Sequence, residues 1–147
     1  MTRHHQWAFV LIVLAASLRG GPGAALQGRH VYPKDRIQDA LEAAAADPVN
    51  KTVYVHAGTY RPAAKGQALI WFNARHDGIT LEAVGEVILT AANPDIADNK
   101  APSYPAVVNH VVYFGDGVSR KTVFRGFRVT GANNFTTGGR EVTDRVG

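Results

Sequence analysis

The sequence predicts a mainly-β chain wound into a solenoid, with a short helix capping its first turn. Two observations carry that expectation. From Ile37 to Tyr60 the chain reads IQDALEAAAADPVNKTVYVHAGTY, a helical apolar stripe followed by a polar turn and an alternating strand that ends in Gly58-Thr59-Tyr60. Further on, two blocks look alike: LIWFNARHDGITLEAVGEVILTAANP from Leu69 and VVYFGDGVSRKTVFRGFRVTGANN from Val111. A repeat of this kind is what stacked coils require, because one turn of a solenoid cannot bury its own inner face and must lie on the next. An antiparallel β-sandwich is the competing architecture, and the opening helix and the long offset between the two blocks make it second choice.

Taken in order, residues 1–25 read as a signal peptide. Arg3 precedes an apolar run from Trp7 to Leu18 that is shorter than the ~20 residues a spanning helix needs. Gly23-Ala24-Ala25 then supplies the small side chains expected before a cut after Ala25, and no twin-arginine pair is present. Residues 26–147 are expected to form one β domain with no stable membrane span after processing, and the product to be secreted, periplasmic or on the cell surface. In the helix, Asp35 is the expected N-cap, with Gln38 at N3 completing a capping box. Ile37, Ala40, Leu41 and Ala44 form the buried stripe, while Gln38, Asp39 and Glu42 face away. Pro48 pushes Asp47 out of the α region and ends the helix.

Thr52 to His56 alternates, with Val53 and Val55 on one face, as a half-buried strand does. In each later block two aliphatics and two aromatics open the first strand. A polar turn follows, then a second strand (Ile79 to Ala83, Thr122 to Gly126) and a third β-rich run. Val53, Ile79 and Val123 are expected on successive turns of one ribbon, buried against their equivalents. Ala92 to Asn109 reads as a long loop with the length of a cleft wall. Beyond Asn134 no strand or capping helix is legible, so the solenoid looks truncated, with open coil ends through which copies could associate.

Composition limits the partners. The chain of 147 residues is 46% hydrophobic and 19% charged with 15 glycines, which fits a folded, turn-rich domain and excludes wholesale disorder. Net charge is +4, about +2 once Arg3 and Arg19 are discounted, and the basic residues are scattered; a nucleic-acid partner is not expected. Absence of cysteine excludes disulfides and Cys-ligated zinc. His56, His76 and His110 show no metal-ligand spacing and read as surface or turn residues, so no metal site is assigned.

The helix, strand and Gly58-Thr59-Tyr60 turn in that order, with the stacked blocks that follow, resemble the opening of right-handed parallel β-helix proteins of the pectin-lyase-like group. The resemblance spans Ile37 to about Asn134. It implies an exported module that binds or processes extracellular polysaccharide along a lateral groove, with polysaccharide lyase or glycoside hydrolase chemistry if the chain is an enzyme, and calcium as a possible cofactor. A non-catalytic structural or adhesive solenoid at the cell surface is the alternative.

The family's acid clusters are not matched. Asp77, Glu82, Glu86, Asp95, Asp98 and Asp116 form no paired pattern that would mark a general acid and its partner, and the catalytic residues stay unknown. Asp95 and Asp98 are read first as a solvated loop, since Ca²⁺ needs 6–8 oxygen ligands. Trp71, Phe72, Tyr113 and Phe114 alternate faces, so one of each pair is expected in the core, leaving Trp71 and Tyr113 as candidate sugar platforms. Arg125 and Arg128 join them as candidate groove cations, on condition that the strand bends at Gly126-Phe127 so that both point outward.

Overall fold

The computed structural model describes residues 26–132. The expected signal peptide and the end of the chain from 133 to 147 lie outside the described residues. Strand β1 (Arg29–Val31) leads into helix α1 (Ile37–Ala46), followed by β2 (Thr52–Tyr60), β3 (Gly66–Phe72), a 3₁₀ turn (Ala74–His76), β4 (Thr80–Thr90), β5 (Val108–Phe114) and β6 (Val123–Thr130). The chain is mainly β, and every pairing between named strands is parallel. One sheet has the order β1-β2-β4-β6 and the other pairs β3 with β5, so from β2 onward the chain alternates between two sheets as it advances. The antiparallel alternative is not what these strands form.

The two look-alike blocks lie side by side. Ile70, Trp71 and Phe72 pair with Val112, Tyr113 and Phe114, and Leu81 pairs with Phe124. Inward residues therefore meet in rows along the hydrogen-bonding direction, the spacing at which same-face side chains pack. Val53 lies beside Leu81, and Leu81 beside Phe124. The row expected through Val53, Ile79 and Val123 is thus displaced: Thr80, not Ile79, pairs with Val123. Val53, Leu81, Val87 and Leu89 are essentially fully buried.

The second and third β runs of each block are one strand. β4 and β6 continue through a register shift between Glu82 and Val87, where Gly85 and Gly126 take positive φ of 83° and 84°. A Cβ at Gly85 would stand 3.1 Å from the Ala57 Cβ, and one at Gly126 the same distance from the Ala83 Cβ. Glycine satisfies both the left-handed backbone and the close approach, so the bends fall in successive strands.

α1 covers one end of this arrangement. Ile37, Leu41 and Ala44 are buried as the stripe requires, and the helix packs on β1, β2, β3 and the 3₁₀ turn. Asp47 takes an extended conformation before Pro48. Lys51 Nζ then donates to the carbonyls of Ala44 and Ala45 at 3.0 and 2.9 Å, as a cation at a helix C-terminus does. The N-terminus differs from expectation. Arg36 is the N-cap without a side-chain bond, because the Asp35 carboxylate accepts from the Tyr32 N–H at 2.9 Å and closes the turn before the helix instead. Gln38 does not face away; it is 4% exposed and turned toward β3.

The segment from Ala92 to Asn109 holds more structure than a plain loop. Ala92 bridges Ala106 antiparallel, Asn93 Nδ2 donates to the Pro62 carbonyl at 2.9 Å, and Ala106 and Val107 are buried.

Candidate functional site

A cavity of about 1230 Å³ opens between the start of α1, the β2–β3 connection and the face of β3 and β5. Its floor holds Trp71 and Tyr113, which the parallel register makes neighbours. Trp71 is held by its backbone. Its N–H donates to Gln38 Oε1 at 3.0 Å and its carbonyl accepts from Gln38 Nε2 at 3.3 Å, so one side-chain amide occupies the edge that a further strand would otherwise pair. Gln38 Nε2 also approaches Glu42 Oε1 at 3.2 Å, and Arg75 donates to the same carboxylate at 3.1 Å. Burial of the Gln38 amide is therefore matched by partners, as a buried polar group requires.

The rim is basic. Lys34, Arg36, Arg61 and Lys65 line it against two carboxylates, Asp35 and Asp116. His110 lies beside Tyr113, ring centroids 5.6 Å apart. At the far end of the same strand pair, Asn109 Nδ2 donates to Gln67 Oε1 at 2.8 Å, which gives the face a polar margin. Tyr60 closes the back wall, its hydroxyl within 2.9 Å of the His56 carbonyl, and burial pushes its phenol up to about 12. The long segment from Ala92 was expected as a cleft wall, but the cavity is walled by residues 34–38 and 59–69 instead, and that segment borders a smaller recess near Lys65.

The four candidate sugar contacts divide two and two. Trp71 and Tyr113 come together in the cavity; Arg125 and Arg128 lie on β6 of the other sheet and do not line it. The bend at Gly126 does turn both guanidinium side chains outward, with Phe124 and Phe127 stacked on the inner side at 4.5 Å. Arg125 is engaged: it donates to Glu82 Oε2 at 2.6 Å, and that hydrogen bond raises its pKa above the usual arginine value. The aromatic pairs behave differently from one another. Phe72 is fully buried beneath exposed Trp71, as alternation requires, whereas Tyr113 and Phe114 are both about half exposed.

Of the carboxylates weighed as acid–base or metal candidates, Asp116 alone lines the cavity. Asp77 is structural: it accepts from the Ser119 N–H at 2.7 Å and the Thr122 hydroxyl at 3.2 Å, the first of which does most to hold its carboxyl below the usual range. Asp98 caps its own turn by accepting from the Lys100 N–H, and among the described residues no three or more His, Asp or Glu converge. The described residues do not gather the acid cluster of a calcium site of the kind the resemblance implies. His76 is not a surface residue; it is fully buried under Phe72, its Nδ1 accepts from the Asn73 N–H at 3.2 Å, and its Nε2 lies 3.2 Å from Glu42 Oε1 without an aligned hydrogen bond.

Sequence reasoning missed Gln38, because a polar residue in a helical pattern reads as solvent-facing, and it missed the Arg61–Lys65 connection, which carries no motif. Among the described residues no helix is long and apolar enough to cross a membrane. Comparison with protein families, curated proteins and solved structures finds no match to this chain.

Proposed function

We propose that the chain forms the first coils of a right-handed parallel β-helix of the pectin-lyase-like kind, exported from the cell, and that it binds acidic polysaccharide in the cavity floored by Trp71 and Tyr113. What supports the winding is the all-parallel pairing of strands that alternate between two sheets, since parallel neighbours joined by crossovers take the right-handed path. What supports the ligand is one juxtaposition: two exposed aromatic rings in register, ringed by Lys34, Arg36, Arg61 and Lys65. Ring faces take the apolar faces of sugars, and a basic rim favours sugars that carry carboxylates. The reading is of a binding module. Lyase or glycosidase chemistry rests on the resemblance alone.

Incubation with polygalacturonate, alginate and a neutral glucan separates the possibilities. Retention on the two uronate polymers, weakened by salt and lost by roughly tenfold or more in Trp71→Ala, is the expected outcome. New reducing ends or unsaturated products would add catalysis to it. Equal indifference to all three polymers would remove the reading and favour the structural or adhesive alternative, which half-exposed Phe114 on β5 and Val129 on β6 support.

A further inference from the structure

The outer face of the four-stranded sheet carries a second constellation, on residues that do not line the cavity. His30 on β1 and His56 on β2 bring Nδ1 and Nε2 to 2.8 Å. Two tyrosines hold the rings: Tyr32 stacks on His56 with centroids 4.3 Å apart and planes within 7°, and Tyr54 stacks on His30 at 5.5 Å. His30 Nε2 lies 3.0 Å from the Leu26 carbonyl oxygen. A carbonyl only accepts, so that nitrogen carries the proton, and in the neutral ring the lone pair is on Nδ1, aimed at His56. An imidazole whose outer N–H is committed to a backbone carbonyl while its other nitrogen turns to a second imidazole has the outer-sphere arrangement of a metal-binding histidine.

We propose that His30 and His56 form a two-imidazole site for a borderline divalent ion of the copper–zinc class, with water completing the coordination. Paired imidazoles favour such ions over Ca²⁺ or Mg²⁺, which take oxygen ligands. Glu82, beside Tyr54 by register, is bound to Arg125. When the ion enters, the His56 ring presents the Nε2 lone pair by carrying its proton on Nδ1, and no bond other than N–H is rearranged. Two bonds of about 2.0–2.1 Å in tetrahedral geometry set the nitrogens about 3.3 Å apart, so the rings must separate by about half an ångström. Side-chain rotation on an exposed sheet face supplies that movement.

The test is a Cu²⁺ titration of the full chain followed by NMR, in a His4→Gln/His5→Gln background that removes the adjacent histidines near the N-terminus. Paramagnetic broadening is expected at the rings of His30, Tyr32, Tyr54 and His56, with Zn²⁺ displacing the copper only in large excess and Mg²⁺ leaving it in place. His56→Gln should weaken Cu²⁺ binding by roughly tenfold or more, and His110→Gln should leave it unchanged. Broadening centred on other residues, or His30→Gln and His56→Gln that each bind Cu²⁺ as tightly as their parent, would overturn the site. The broadening map uses the unsubstituted pair and stands whether or not either variant folds.

Discussion

The two look-alike blocks have nearly the same pattern and opposite fates. In the first, Phe72, Leu81 and Leu89 are fully buried; in the second, their register partners Phe114 and Val129 are about half exposed and Phe124 is only partly covered. Composition does not explain the difference, since the second block is the more aromatic. What differs is the neighbour. The first block has β2 and α1 on one side and the second block on the other, whereas among the described residues nothing lies beyond β5 and β6. Apolar pattern sets which side chains face inward, and stacking decides how much water they lose.

Substitutions that treat the blocks unequally break or sharpen this comparison. The largest contrast is at the paired rows. Leu81→Ala removes a fully buried side chain between Val53 and Phe124 and should cost about 2–5 kcal/mol, while Val129→Ala should cost well under about 1 kcal/mol. Urea unfolding of both variants checks it, and equal losses would mean that both blocks are buried alike. Next is the helix end. Gln38→Ala leaves the Trp71 N–H and carbonyl without their side-chain partner, and a loss of about 1–3 kcal/mol is expected, with faster hydrogen exchange at Trp71 and not at Tyr113.

Gly85→Ala should cost about 1–2 kcal/mol, since it combines a left-handed backbone with a 3.1 Å approach to Ala57. Gly126→Ala meets the same contact on Ala83, but β6 is a border strand and can shift, so its cost should be the lower of the two.

The smallest effect is expected from Asp77, which joins the turn of the first block to Ser119 and Thr122 of the second. Its carboxyl is held below the ordinary value in the folded chain, so its contribution is present above that value near 4 and is lost as pH falls through the depressed one. Thermal unfolding between pH 6 and pH 3 should therefore flatten slightly in Asp77→Asn relative to the parent.

Much of the scaffold was legible because it is written in local periods. The Ile37-Leu41-Ala44 stripe, the Val53-Val55 alternation and the Trp71-Phe72 pair are each read within a few residues, and all lie where their period puts them. What was not legible depends on register between distant strands. His30 and His56 are 26 residues apart and meet only because β1 pairs with β2. Gln38 reaches Trp71 across 33 residues, and the Val53 row is set by the pairing of β2 with β4, which places Leu81 rather than Ile79 beside Val53. Arg125 and Arg128 do not share a groove with Trp71, because β6 belongs to a different sheet from β3 and β5 and does not line the cavity.

Register is also where the account is most exposed, and NMR contacts between strands in the full chain measure it directly. The parallel stack gives contacts linking Val53 to Leu81, Leu81 to Phe124 and Trp71 to Tyr113 in one protein. Contacts of antiparallel neighbours between β2 and β4, or a Leu81 that meets neither Val53 nor Phe124, would contradict it.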